Sequence, residues 1–279
     1  MFDLTHPHGR CVPAPQSNRS LAGKALHLVN NNSLFTRNVV NNGTFKTTGA
    51  GVTFTGSYTE NGAFISDPST NNFADLALGA TGYLVGHAGD LLLVSGSLFN
   101  GSQQQLLWDT STAELTFANG GTHQLQLAGA GRGASYAGYR TNSAWQTVRL
   151  GAAQSLVLAN GSAGPGGALY TRRLTLDGGL AQIASKTGNG RKIYYDPQDP
   201  GNAYLAGQTY ALNSGGMITP IAQPTIMITQ LNVLSNRHPQ LICSGIPYSN
   251  HTVLSSNNLA AWSAIGSASA DASGHIQFE

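Results

Sequence analysis

From about Asn31 onward the chain is written in apolar–polar alternations of three to six residues, each closed by Gly, Asn-Gly or Gly-Gly. Val52-Thr53-Phe54-Thr55, Leu115-Thr116-Phe117, Gln124-Leu125-Gln126-Leu127, Val148-Arg149-Leu150 and Leu174-Thr175-Leu176 are examples. A period of two is the strand signal, and glycine supplies the positive φ of the tight turns between strands. Strands this short bury nothing alone, so the fold must stack or pair many of them. Charged residues make up 9% against about 25% in ordinary soluble domains, which excludes a coiled coil or a charged helical bundle. A net charge of +2 is too small for a strongly basic nucleic-acid binder. A hydrophobic share of 41% with so little net charge argues against disorder. No apolar run is long enough to span a membrane as a helix.

The alternations echo one another. Asn42-Gly43-Thr44-Phe45 returns as Asn61-Gly62-Ala63-Phe64, and Leu76-Ala77-Leu78-Gly79-Ala80 resembles Val148-Arg149-Leu150-Gly151-Ala152. A close echo, at about 20 residues, predicts an all-β chain wound as a right-handed parallel β-helix (solenoid), in which each coil buries its inner face and pairs its backbone only by stacking on the next. An antiparallel sandwich with equally short strands is the alternative. The organisation read from the sequence is an irregular leader at 1–30, with a weak helical segment at 19–28; a β-helix at 31–215; a linker at 216–225 marked by Gly216, Pro220 and Pro224; and a partial β-sandwich at 226–279. The last region holds five strand-like runs, is small for an independent core, and stops at Glu279 directly after one of them. Closing strands are expected to be missing, which would leave an unpaired apolar edge. Of the two cysteines, Cys243 lies in the apolar run Leu241-Ile242-Cys243 and reads as a buried free thiol; Cys11 lies in the leader.

Two stretches resemble known proteins. Gly89-Asp90-Leu91-Leu92-Leu93-Val94-Ser95-Gly96-Ser97, Leu150-Gly151-Ala152-Ala153-Gln154-Ser155-Leu156-Val157-Leu158 and Gly188-Asn189-Gly190-Arg191-Lys192-Ile193-Tyr194-Tyr195-Asp196 are similar to the β-helical ectodomains of exported bacterial surface proteins, of the autotransporter-passenger and PEP-CTERM-sorted kinds. Tyr248, Thr252-Val253-Leu254-Ser255-Ser256-Asn257-Asn258-Leu259, Trp262 and Ile265-Gly266 resemble a small C-terminal β-module of such proteins. The resemblance implies an extracellular or cell-surface, non-enzymatic structural or adhesive role. The partners it implies are an extracellular polysaccharide or a neighbouring cell surface, with no nucleic acid and no cofactor. The N-terminus lacks a basic stretch followed by an apolar one, and the Pro-Glu-Pro sorting signal is absent, so both ends are expected to be truncated.

No motif carries chemistry on its own. Lys186-Thr187-Gly188 matches one element of serine β-lactamases, but Ser-x-x-Lys and Ser-Asp-Asn are missing. Gly129-Ala130-Gly131-Arg132-Gly133-Ala134 fits a dinucleotide fingerprint but lacks the acid that should follow; it reads as a loop between strands. Asp196-Pro197-Gln198-Asp199-Pro200-Gly201-Asn202 gathers oxygen ligands, yet too few for Ca²⁺, and reads as an Asp-capped turn. The His6-x-His8 pair is at most an adventitious chelate, and no catalytic or metal residues are assigned. A lyase or hydrolase would need carboxylates, or a carboxylate with Arg, on one face. Asp67, Asp75, Asp90, Asp109 and Glu114 are scattered, and Arg172-Arg173 should point to opposite faces of a strand. The alternative to a scaffold is a carbohydrate-binding module in which Tyr136, Tyr139, Tyr194, Tyr195 and Tyr204 stack on sugar rings; a polysaccharide lyase or hydrolase ranks below it.

Overall fold

The structure, a computed structural model, describes residues 19–20, 23–136, 138–161, 167–222, 226–245, 249–271 and 274–279. His6, His8, Cys11, Pro224 and Tyr248 lie outside the described residues. The chain divides into two compact units, Met1–Ile221 and Ala222–Glu279.

The first unit is a parallel β-solenoid with three strand-bearing faces. Face one stacks Asn32–Phe35, the first half of Gly51–Glu60, the first half of Thr70–Leu78, Leu91–Val94, and the ends of Thr110–Phe117, Trp145–Leu150 and Ala168–Leu176. Face two stacks Val39–Asn41, the second halves of the two long strands, Leu98–Asn100, Thr122–Leu127, Ser155–Asn160 and Lys186–Thr187. Face three opens with the four-stranded sheet Ala25–Val29, Thr44–Thr48, Ala63–Asp67 and Tyr83–Val85. It continues through a bridge from Val85 to Asp109 and, beyond Trp145, through Ala168–Leu176, Lys192–Tyr195 and Met217–Pro220. Every pairing along these faces is parallel, so each coil satisfies its backbone only through its neighbours.

The first coils repeat at the interval of the Asn-Gly echo: Thr44 pairs with Ala63 and Phe45 with Phe64, the register that the echo predicts. The second echo is not a register pair, since Leu76 to Leu78 lie on face two and Val148 to Leu150 on face one. The early core is aromatic. Phe35, Phe54 and Phe73 stack with centroids 4.9 and 5.1 Å apart, Phe45 lies on Phe64 at 5.4 Å, and Tyr58 wedges against Phe54 at 4.5 Å. Later coils replace rings with aliphatic ladders such as Leu92, Leu115, Val148 and Leu174, in register and fully buried. Each such side chain contributes about 1.5–3 kcal/mol by leaving water.

Among the buried ionisable groups, Glu60 and Lys186 are both shifted towards the neutral form. The Glu60 carboxylate accepts from Asn41 Nδ2 at 2.8 and 2.9 Å, from Tyr58 OH at 2.8 Å and from Gly62 N at 2.7 Å. Burial pushes its pKa up to about 7 against the downward pull of these donors. Lys186, in register with Leu156, donates to the carbonyl of Gln182 at 3.0 Å, and burial lowers its pKa to about 8. The Lys-Thr-Gly motif is therefore one rung of a buried ladder.

The solenoid starts before residue 31 and runs past 215. The segment 19–28, with its weak helical reading, instead supplies strands Arg19–Ser20 and Ala25–Val29. Five registered partners in Thr44–Thr48 outweigh a marginal helix propensity. At the other end, Met217–Pro220 lies within the expected linker yet pairs with Lys192–Tyr195; Pro220 sits at the strand's last position, which tolerates a missing N–H. Tyr210–Ala211 covers the far side of Met217–Pro220 in antiparallel pairing.

In the second unit, antiparallel strands Met227–Val233, Pro239–Ser244 and His275–Phe278 form one sheet, and Asn250–Ser255 with Ser263–Ser269 a second. All five runs read from the sequence are strands. The core is small: Ala268, Ala270 and Ile276, with Cys243 and Phe278 packed against it. Cys243 is a free thiol, half-buried rather than fully enclosed as expected, because the sheet is too narrow to cover it. Among the described residues Met227–Val233 pairs on one side only, and it exposes Met227, Ile228, Leu231 and Val233. No helix among the described residues is long and apolar enough to cross a membrane.

Candidate functional site

On face three, Thr110, Trp145, Thr171 and Tyr195 stand in register on successive coils. The residue after each is Ser111, Gln146, Arg172 and Asp196, which therefore form an outward column. With about 4.8 Å between strands, that column runs about 14 Å along the coil stack. A bulge between Thr110 and Glu114 breaks the register beside it. The column, with Thr112, Gln198 and Asp199, lines an open cleft of about 430 Å³.

The two arginines do not point to opposite faces. Both are solvent-facing, Arg172 with its side chain 45% exposed and Arg173 42%, because the chain turns a corner there and the alternation slips by one before buried Leu174. Arg172 Nη1 lies 3.9 Å from Asp196, and Arg173 Nε bonds Asp199 at 2.8 Å. The Asp-Pro turn is built as an Asx turn: Asp196 accepts from Gln198 N at 2.9 Å and Asp199 from Gly201 N at 2.8 Å. Asn202 fastens it to the wall, bonding the carbonyls of Arg172 and Asp196 at 2.6 and 2.7 Å.

A lengthened connection between Thr122–Leu127 and Trp145–Leu150 packs on the outer wall next to the cleft. It holds the Gly-rich loop and a single helical turn, Gly138–Thr141. Tyr170 OH accepts from Arg132 N at 2.7 Å and donates to the Gly133 carbonyl at 2.9 Å. A Cβ at Gly138 would lie 1.9 Å from the Tyr170 ring, so only glycine allows this approach. The result is a second hydrophobic core outside the coils, made of Ala144, Ala168, Tyr170, Tyr194 and Ile221, with Tyr136 and Tyr139 against it.

The five tyrosines read as a sugar platform are divided by this arrangement. Tyr136, Tyr139 and Tyr194 come together, with Tyr170 stacked on Tyr194 at 4.8 Å as the hub. Tyr194 is buried. Tyr139 donates to the Thr171 carbonyl at 2.9 Å and carries Arg172 over its ring at 5.6 Å. Burial, then the charge of Asp196, pushes its phenol well above the ordinary value, so it acts as a donor. Tyr136 OH reaches Asp196 at 3.4 Å. Tyr195 is wholly inside the solenoid, its hydroxyl bonded to the Gln208 carbonyl, and Tyr204 is half-buried with its hydroxyl on the Leu174 carbonyl. The ring faces of Tyr194 and Tyr195 are thus taken by protein.

The scattered acids do not converge. Asp75 caps Ser97 N, Asp109 caps Ser111, Glu114 takes the Thr116 hydroxyl, and buried Asp90 accepts from Ser69 N, His87 N and the Ser66 hydroxyl. Among the described residues no group of three or more His, Cys, Asp or Glu is placed to hold a metal ion. The cleft residues Ser111, Thr112, Gln146 and Gln198 carry no sequence signal. Their juxtaposition depends on register across the lengthened connection, which the sequence does not mark.

These features define a parallel β-solenoid with a polar flank cleft and an external tyrosine core. No protein-family model, curated protein or solved structure matches the chain; what it shares with the bacterial surface ectodomains that its sequence resembles is the solenoid fold.

Proposed function

We propose that the chain is a non-enzymatic structural or adhesive segment of an extracellular or cell-surface protein, of the autotransporter-passenger or PEP-CTERM-sorted kind. The observation that carries this reading is the ladder itself: one continuous parallel stack with a continuous apolar interior and a flank presenting uncharged polar groups. Such a stack resists extension because its backbone bonds and buried layers must open together. The cleft favours carbohydrate binding as a second reading. A lyase or hydrolase has less support, since Asp196 and Asp199 are each engaged by a turn amide and an arginine and the other acids named from the sequence do not converge on the cleft. The test coats beads with the full chain and measures detachment force from bacterial and host-cell surfaces, alongside release of reducing ends or unsaturated products from polysaccharides. Firm adhesion without turnover is expected. Turnover abolished by Asp196→Asn would install the enzymatic reading, and beads that detach like albumin-coated ones would remove the adhesive one.

A further inference from the structure

The cleft separates two kinds of polar group. Its charges are matched inside the protein: Arg172 with Asp196, and Arg173, behind the lining, with Asp199. Tyr139 under Arg172 and the turn amides on the two aspartates hold these groups in place. Its side-chain amides are different. Among the described residues, those of Gln146 and Gln198 make no hydrogen bond to another protein group, and both line the cleft, Gln198 exposed and Gln146 half-buried. Each offers two N–H donors and a carbonyl acceptor, and Thr112, whose hydroxyl donates to the Gly86 carbonyl at 3.3 Å, lines the cleft beside Ser111 with an oxygen that still accepts.

We propose that this cleft binds an uncharged polysaccharide strand lying along the coil axis, with Gln146 and Gln198 meeting its hydroxyl groups. Three features select that ligand class. The matched charges give a polyanion two carboxylates to overcome and a polycation the Arg172 guanidinium. The unfilled amides suit hydroxyls, which donate and accept at once. The column from Ser111 to Asp196 is linear and about 14 Å long at the strand spacing, so it presents evenly spaced side chains to successive rings of a chain, not one face to a compact molecule. Recognition is polar and edge-on, since the nearest tyrosines have their rings engaged by protein or by Arg172. The inference rests on the adhesive reading and names what would be adhered to.

Calorimetric titration of the full chain with neutral hexasaccharides (β-1,4-glucan, β-1,4-xylan, β-1,4-mannan, α-1,4-glucan), with hexagalacturonate and with chitosan hexamer tests it. At least one neutral hexamer is expected to bind, with affinity unchanged between about 50 and about 500 mM salt and reduced more than about tenfold in Gln146→Ala/Gln198→Ala. Neither amide holds an internal bond, so that variant should keep the parent's melting temperature. Binding confined to a charged hexamer, binding indifferent to the double variant, or no binding of any neutral hexamer overturns the proposal. Repeating the bead assay separates the two readings. Adhesion by a chain that binds no hexamer removes the glycan and leaves the scaffold, whereas hexamer binding without adhesion removes the adhesive role and leaves the cleft.

Discussion

The solenoid contains two regimes. Its first coils, from Ala25 to Val85, keep a near-constant repeat length and stack aromatic rings, with one small register shift where Gly51–Glu60 turns between faces one and two at Phe54 to Ser57. From Asp109 to Ile221 the ladder persists, but the connections lengthen, the register shift between Thr110 and Glu114 is wider, and a second core grows on the outside. The regular half concentrates binding energy in its interior; the irregular half uses the same ladder as a base on which loops can be set. The cleft and the outer core lie where the repeat lengthens, the kind of connection on which binding groups are most often set.

The sharpest way to break this comparison is to remove one ring. Phe64 is fully buried between Phe45 and Phe73, and Phe64→Ala should cost about 3–5 kcal/mol in urea unfolding. A loss below about 1 kcal/mol would mean that the early coils are not the stiffer half.

The buried charges give the halves opposite pH responses. Glu60 has its folded pKa raised to about 7, so between the unfolded value and 7 the native state holds the extra proton and stability falls as pH rises. Lys186 has its folded pKa lowered to about 8, so from 8 to its unfolded value the unfolded state holds the extra proton and stability rises with pH. Each swing is on the order of 3 kcal/mol at most. Urea midpoints measured from pH 4.5 to 10.5 should show a decline, a floor between about pH 7 and 8, and a recovery. Glu60→Gln should flatten the first limb and Lys186→Met the second.

Smaller effects belong to the outer core. Gly138→Ala forces Cβ into the Tyr170 ring and should cost about 1–3 kcal/mol. Hydrogen exchange should speed up in residues 129–136 and 138–144 while Phe45 and Phe64 stay protected. Arg149→Ala breaks an exposed pair with Asp177 and should change stability by less than about 1 kcal/mol, setting the baseline for the surface of the irregular half.

What the sequence discloses follows the same division. The Asn-Gly echo is legible because the regular coils place equal residues in equal environments, so local pattern and stacking register coincide. The strand Ala25–Val29 is not legible, because its conformation comes from Thr44–Thr48 and not from its own residues. The tyrosines are legible as a group but not by role: Tyr194 faces the outer core and Tyr195 the interior, as alternation requires, yet whether the outer face meets solvent depends on a loop far earlier in the chain. The arginine pair misleads because the strand rule fails at a corner that no glycine or proline marks. The cleft amides are beyond any local reading, since Gln146 and Gln198 share a wall only through register.

The short antiparallel strand Tyr210–Ala211 on the far edge of Met217–Pro220 bears on self-assembly. A ladder of parallel rungs is a seed for its own endless extension, since each terminal rung offers the template that another copy could continue. On face three the chain reverses direction beside the last rung, so an incoming parallel strand would meet Tyr210–Ala211 in place of the free edges of Met217 and Ile218.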